Sequence, residues 1–166
     1  MTRPPLTLAP SPNPHPNLHP DREPHHPHRR WQVALLARAF ALSEPLHIEA
    51  PAVGGGGAEE AAAKEKLHEA VGEMKLWVSG PDTFKEEEDK ACLALCLARH
   101  EVSRERPGAA LKTLRAALAA STPSSKRYKE VAKETVALYK DMGFGHWASN
   151  AEEALLEAFP PMKLPL

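Results

Sequence analysis

Strand signals are missing from this chain. No period-two run of β-branched residues occurs anywhere in its 166 residues, so a sheet-based fold is not expected. Aromatic residues are scarce at 5%, which leaves aliphatic and small side chains to build any core. There is no run of 18 apolar residues, so no membrane span is expected. The net charge of −1, with histidine neutral, commits the whole chain to neither nucleic acid nor an anionic membrane. Only two cysteines occur, Cys92 and Cys96, one helical turn apart, where Cβ vectors run side by side and a disulfide is geometrically poor. That pattern fits a reducing, intracellular compartment, with the cytoplasm the first reading and organellar import a second. Also absent are a Gly-x-Ser-x-Gly elbow, a phosphate loop and a metalloprotease His-Glu pair. No catalytic residue is named, no cofactor is implied, and the expected protein is not an enzyme.

Proline is unevenly spread. Eleven of the 17 prolines lie at or before Pro51, and between residues 58 and 159 only Pro81, Pro107 and Pro123 occur, each at an expected turn. Residues 1–29 therefore read as a disordered Pro/His-rich tail, because proline removes amide donors and keeps its predecessor extended. Residues 30–57 read as a short helix over 30–42, stopped by Ser43-Glu44-Pro45, then a Gly-rich linker. Val33, Leu35, Leu36 and Phe40 give that helix an apolar face with which to dock on a main body. The adjoining GGGGAEEAAAKEK is similar to flexible and rigid linker sequences.

Residues 58–160 form the expected helical domain, with 161–166 as a C-terminal tail. Five helices are predicted. The first, over 59–78, aligns Ala63, Leu67, Ala70, Met74 and Trp77. The second opens on a capping box, Thr83 with Glu86, and runs to about Arg104. It holds an unbroken apolar run over 91–98, and a helix apolar nearly all round must be covered on several sides. The third spans 108–121. The fourth, from about Ser125, carries Tyr128, Val131, Thr135, Leu138 and Met142 at 3-4-3-4 spacing, with Gly143 as its cap. A capping box at Ser149 and Glu152 opens the last, with Ala151, Ala154, Leu155, Ala158 and Phe159 inward. Short connections make successive helices antiparallel neighbours. The fold class is all-α: antiparallel helical hairpins in a small α-solenoid or an irregular bundle.

Cys92, Cys96 and His100 place two thiols and an imidazole on one helical face, the start of a zinc or copper set. Three such positions span about 12 Å along a straight helix, too far to meet one ion, so they are read as core side chains. A metal or redox helper using Cys92 and Cys96 stands as an alternative function. Lys126, Arg127, Lys129 and Lys133 cluster at the start of the fourth helix and give a second alternative, a nucleic-acid binder. Glu130 and Glu134 dilute that patch, and no basic recognition helix follows.

Ala98, Ala110 and Ala117, with Leu97, Leu114, a turn at Arg106-Pro107 and Pro123 beyond, resemble one tetratricopeptide repeat over about 90–123. The family's bulky aromatic position is Ala94 here, and its tyrosine position is Glu101. The resemblance implies a non-enzymatic scaffold, an adaptor or complex subunit that binds another protein or peptide. Three repeats are normally needed for a free-standing array, and at most about two and a half are legible here. The chain would then rely on a partner or on a second copy of itself. Arg99 and Val102, on the turnward half of the second helix, are the expected lining of an exposed groove.

Overall fold

The computed structural model describes residues 27–48 and 57–160. Most of the expected Pro/His tail, the linker at 49–56 and the C-terminal tail lie outside the described residues. Six helices follow in order: α1 (Pro27–Ser43), α2 (Gly57–Trp77), α3 (Glu87–Ser103), α4 (Pro107–Ala120), α5 (Tyr128–Asp141) and α6 (Gly145–Ala158). Single 3-10 turns at Glu44–Leu46 and Pro81–Thr83 follow α1 and precede α3. Among the described residues there is no strand, as the composition requires.

The helices pair as consecutive antiparallel hairpins. In the first, the Gln32 side-chain amide donates to the Trp77 carbonyl at 2.8 Å and Arg38 pairs with Glu73 at 2.7 Å, so α1 rises as α2 descends. In the second, Thr122 just past α4 donates through Oγ1 to Glu87 at the start of α3, at 3.1 Å. In the third, Lys140 near the end of α5 holds Glu152 on α6 at 2.6 Å. Between hairpins, α1 packs on α3 and α4 packs on α5. Helix α3 touches α1, α2, α4 and α5, which answers the need of an all-round apolar helix for cover on several sides. Leu93, Leu95, Cys96 and Ala98 are buried there, in one core with Leu36 and Phe40 of α1, Leu67 and Met74 of α2, Leu114 of α4 and Leu138 of α5.

Helix starts differ from the sequence expectation in three places: α1 already begins at Pro27, inside the expected disordered tail, and neither α3 nor α6 opens on its capping box. Thr83 does not cap α3: it sits in a 3-10 turn, and the N-cap is Glu86, in extended conformation and without a side-chain cap bond. Glu87, Glu88 and Asp89 instead place negative charge on the first turn. Ser149 does not open α6. The helix already starts at Gly145, and the Ser149 hydroxyl donates back to the Gly145 carbonyl at 3.1 Å. The connection expected to run from Gly143 to Ser149 is only Met142 to Phe144.

That tight reversal has a physical cause. Gly143 takes φ +76, its amide bonds to the Lys140 carbonyl at 3.0 Å, and the Phe144 amide reaches back to Tyr139 at 2.8 Å. This is the paired bonding of a left-handed helix stop. The end of α3 uses the same device without glycine. Glu105 takes φ 59, and the Arg106 amide bonds to the Glu101 carbonyl at 2.9 Å.

Three expected inward positions are also corrected. Trp77 is 53% exposed and Val33 is 37% exposed, because each lies at the flank of its helix's buried face. Ala154 is exposed, since α6 rests mainly on α5 and buries only Ala148 fully.

Candidate functional site

Two features stand out above the core: an open apolar groove on α3 and α4, and a buried charge cluster where α1, α3 and α5 meet.

The groove follows from small side chains. Helices α3 and α4 approach along Ala98 and Ala110, both fully buried, with Leu114 beside them. On the outer side of that seam, alanines leave space unfilled. A groove of about 510 Å3 has Leu93 and Ala94 as its floor and Leu97, Ala109, Ala116 and Ala117 as its walls. Glu87 and Lys90 stand on one rim, Lys112 and Thr113 on the other, and Pro81, Ala120 and Ser121 close one end. Its surface is apolar, with charges of both signs at the edge.

The charge cluster centres on Arg99, which is completely buried. The expectation that Arg99 lines an exposed groove is therefore wrong. One-dimensional spacing put it toward the turn, but α1 and α5 close over that face of α3. Its Nε donates to Glu134 Oε1 at 2.9 Å, and Nη2 bonds both that oxygen and Glu130 Oε1, the latter at 2.9 Å. Nη1 donates to the Ser43 hydroxyl at 3.0 Å, and Ser43 in turn donates to the Phe40 carbonyl at 2.7 Å. His47 Nε2 stands 3.1 Å from Glu134. Arg127 holds Glu130 at 2.7 Å, and its guanidinium lies 4.8 Å from the centre of the Phe40 ring. Val102 is half-buried against the core.

Desolvation opposes charge on Arg99, yet its bonds to Glu134 and Glu130 outweigh it and raise its pKa further. Burial lifts the Glu134 carboxyl above its ordinary range, with Arg99 and His47 pulling the other way. Glu130 is more exposed. Its desolvation is overcome by Arg127 and then Arg99, which hold it low.

Among the described residues, His47, Glu130 and Glu134 bring three ligand atoms within 4.8 Å of one another. Charge counting argues against a cation there. Two guanidiniums already neutralise the two carboxylates, and three of the four carboxylate oxygens are taken by arginine. A divalent ion would have to displace them, so the cluster is built as a structural clamp. Cys92, Cys96 and His100 do not converge in this way. The Cys96 thiol is fully buried, its pKa pushed up to about 12 by burial, and burial raises that of Cys92 too. Neither forms a disulfide.

His100 turns to α2. Its Nε2 lies 3.0 Å from His68 Nδ1, with the two rings parallel, and burial followed by the charge of Lys75 lowers its pKa to about 4. It is therefore a neutral imidazole within hydrogen-bond distance of its neighbour. The basic cluster is interleaved with acids and an aromatic ring. Arg127 is bound to Glu130, Lys126 reaches Glu88 at 3.4 Å, and Lys129 lies over the Phe159 ring.

Sequence reasoning missed both features. The groove is a deficit of volume, and the acids of the clamp lie 31 and 35 residues from Arg99. A usable signal was an arginine inside an otherwise apolar helix, which needs a buried acid somewhere. Compared with protein-family models, with curated proteins and with solved structures, the chain matches none of them.

Proposed function

We propose that this protein is a non-enzymatic binding module, an adaptor or subunit that takes an apolar segment of another protein into the α3–α4 groove. The observation that carries this reading is the groove itself: about 510 Å3 of open space over Leu93, Ala94 and Leu97, with charges kept to the rim. Alanine walls let a guest backbone or helix approach closely, and Leu93 and Leu97 supply apolar area. Glu87, Lys90 and Lys112 can orient a charged guest without crossing the apolar centre.

The tetratricopeptide-like reading of α3 and α4 gains support from the packing order. Three hairpins follow one another, and α1, expected from the sequence as a short docking helix, completes the first of them. The short α5–α6 turn, Met142 to Phe144, joins those helices as a further hairpin. Three is the number such arrays normally need to stand alone. A second copy of the chain is the other occupant this groove could take.

Panning a displayed peptide library on the folded protein tests the reading, with Ala116→Trp as counter-target. Bulk at Ala116 fills the groove from an exposed position and leaves the core untouched. Peptides enriched on the wild type should bind the Ala116→Trp protein at least tenfold more weakly. Peptides that bind both equally, or no enrichment at all, would overturn it. A concentration-dependent dimer lost in Ala116→Trp would assign the groove to self-association instead.

A further inference from the structure

The outer face of the first hairpin carries a second apolar surface, unrelated to the groove. Trp31 on α1 is 68% exposed, and on α2 Leu76 is 81% and Trp77 53% exposed. The two tryptophans share one face. Trp31 stands two turns before Arg38, Trp77 one turn after Glu73, and Arg38 and Glu73 are paired across the seam at 2.7 Å. This patch borders the point where the chain enters the fold. The His28 ring, one residue after the start of α1, lies stacked 6.4 Å from the Trp77 ring. The 26 residues before α1 are those in which proline is concentrated, with eight prolines from Pro4 to Pro24.

We propose that this proline-rich segment folds back onto the Trp31–Leu76–Trp77 face and is its resident occupant. Proline rings stack on indole faces, and prolyl carbonyls accept from indole N–H groups. A proline-rich stretch loses little conformational freedom on docking, because its backbone is already restricted. Reach is ample: at about 3.1 Å per residue, Pro20 can lie roughly 20 Å from Pro27, more than the width of a helix pair. Tethering holds the segment at an effective concentration on the order of millimolar, so weak contacts suffice.

A second copy of the chain fits this face less well. Two part-exposed tryptophans and a leucine offer roughly 400 Å2, judged from the size of such side chains. That is about half of what each side of a stable interface requires. The Arg38–Glu73 pair, already satisfied, borders the patch and offers a partner no unmet charge.

Acrylamide quenching of tryptophan fluorescence in the full chain tests the proposal. A Trp147→Phe background leaves Trp31 and Trp77 as the reporters. Its quenching constant should be at least about twofold lower than that of the same chain with all eight prolines from Pro4 to Pro24 replaced by glycine. Far-UV circular dichroism should report the same helix content in both, since these prolines precede α1. Equal quenching in the two chains overturns the proposal. So does protection that grows with protein concentration, which would place a second molecule on the face.

Discussion

Arg99 shows how much one residue can organise. Its guanidinium joins α3 to Ser43 at the end of α1 and to Glu130 and Glu134 on α5, so three segments take their register from one side chain. Arg99→Met would leave Glu134 buried beside no permanent cation, at a cost of about 3–5 kcal/mol. Pairing it with Glu134→Leu removes the orphaned charge, and the double variant should lose clearly less than the two single losses combined. Urea denaturation of the three proteins measures this. Additive losses would show that the pair is not coupled.

His100 makes a separate prediction at the same scale. Its folded pKa of about 4 lies below the ordinary histidine value, so the folded state resists its protonation. Between about pH 6.5 and 4 the unfolded chain binds a proton that the fold refuses. This residue's contribution is therefore fully present above that window and is lost as the pH falls through it. The slope approaches about 1.4 kcal/mol per pH unit for one proton. Stability of the wild type relative to His100→Asn should decline across this window and level off below it. A constant difference from pH 7 to 4 would mean His100 titrates normally.

At the scale of elements, helix positions were legible and helix beginnings were not. Val131, Thr135 and Leu138 are buried on the face that their spacing announced, because a 3.6-residue period fixes which side chains share a side. Gly143 caps α5 as expected, since only glycine takes its left-handed conformation without strain. The two capping boxes failed because such a motif is local and common, while a start site is decided by where the chain can reverse. Gly143 and Gly145 flank a turn so short that α6 begins before Ser149 is reached. Two sets of substitutions separate these accounts. Thr83→Ala and Ser149→Ala should each change stability by less than about 0.5 kcal/mol, where true N-caps would cost about 1. Gly143→Ala should cost about 1 kcal/mol or more through its positive φ. Thermal denaturation of the three variants would reverse the assignment if the order were inverted.

For the molecule as a whole, the question is whether α1 is an appendage or a structural member. The sequence set this helix apart with a proline-rich stretch before it and a glycine run after it, while giving it an apolar face with which to dock. Neither linker composition nor helix length reveals what a helix packs on, and Arg99 looked like a surface residue for the same reason. Packing places Leu36 and Ala39 almost wholly out of solvent, in the same core as Leu95 of α3. The Ser43–Arg99 bond ties the end of α1 to the charge clamp. Removing α1 would therefore uncover both the apolar flank of α3 and a buried guanidinium, and neither is tolerable in water-exposed isolation from its partners. Leu36→Ala should destabilise the fold by about 2–5 kcal/mol. The loss should appear as one cooperative shift, with far-UV circular dichroism and the emission of Trp147 on distant α6 moving together in urea. A detached appendage would behave otherwise. The α6 probe would then keep its wild-type midpoint while a fraction of the helical signal melted early, and α1 would have no part in the common core.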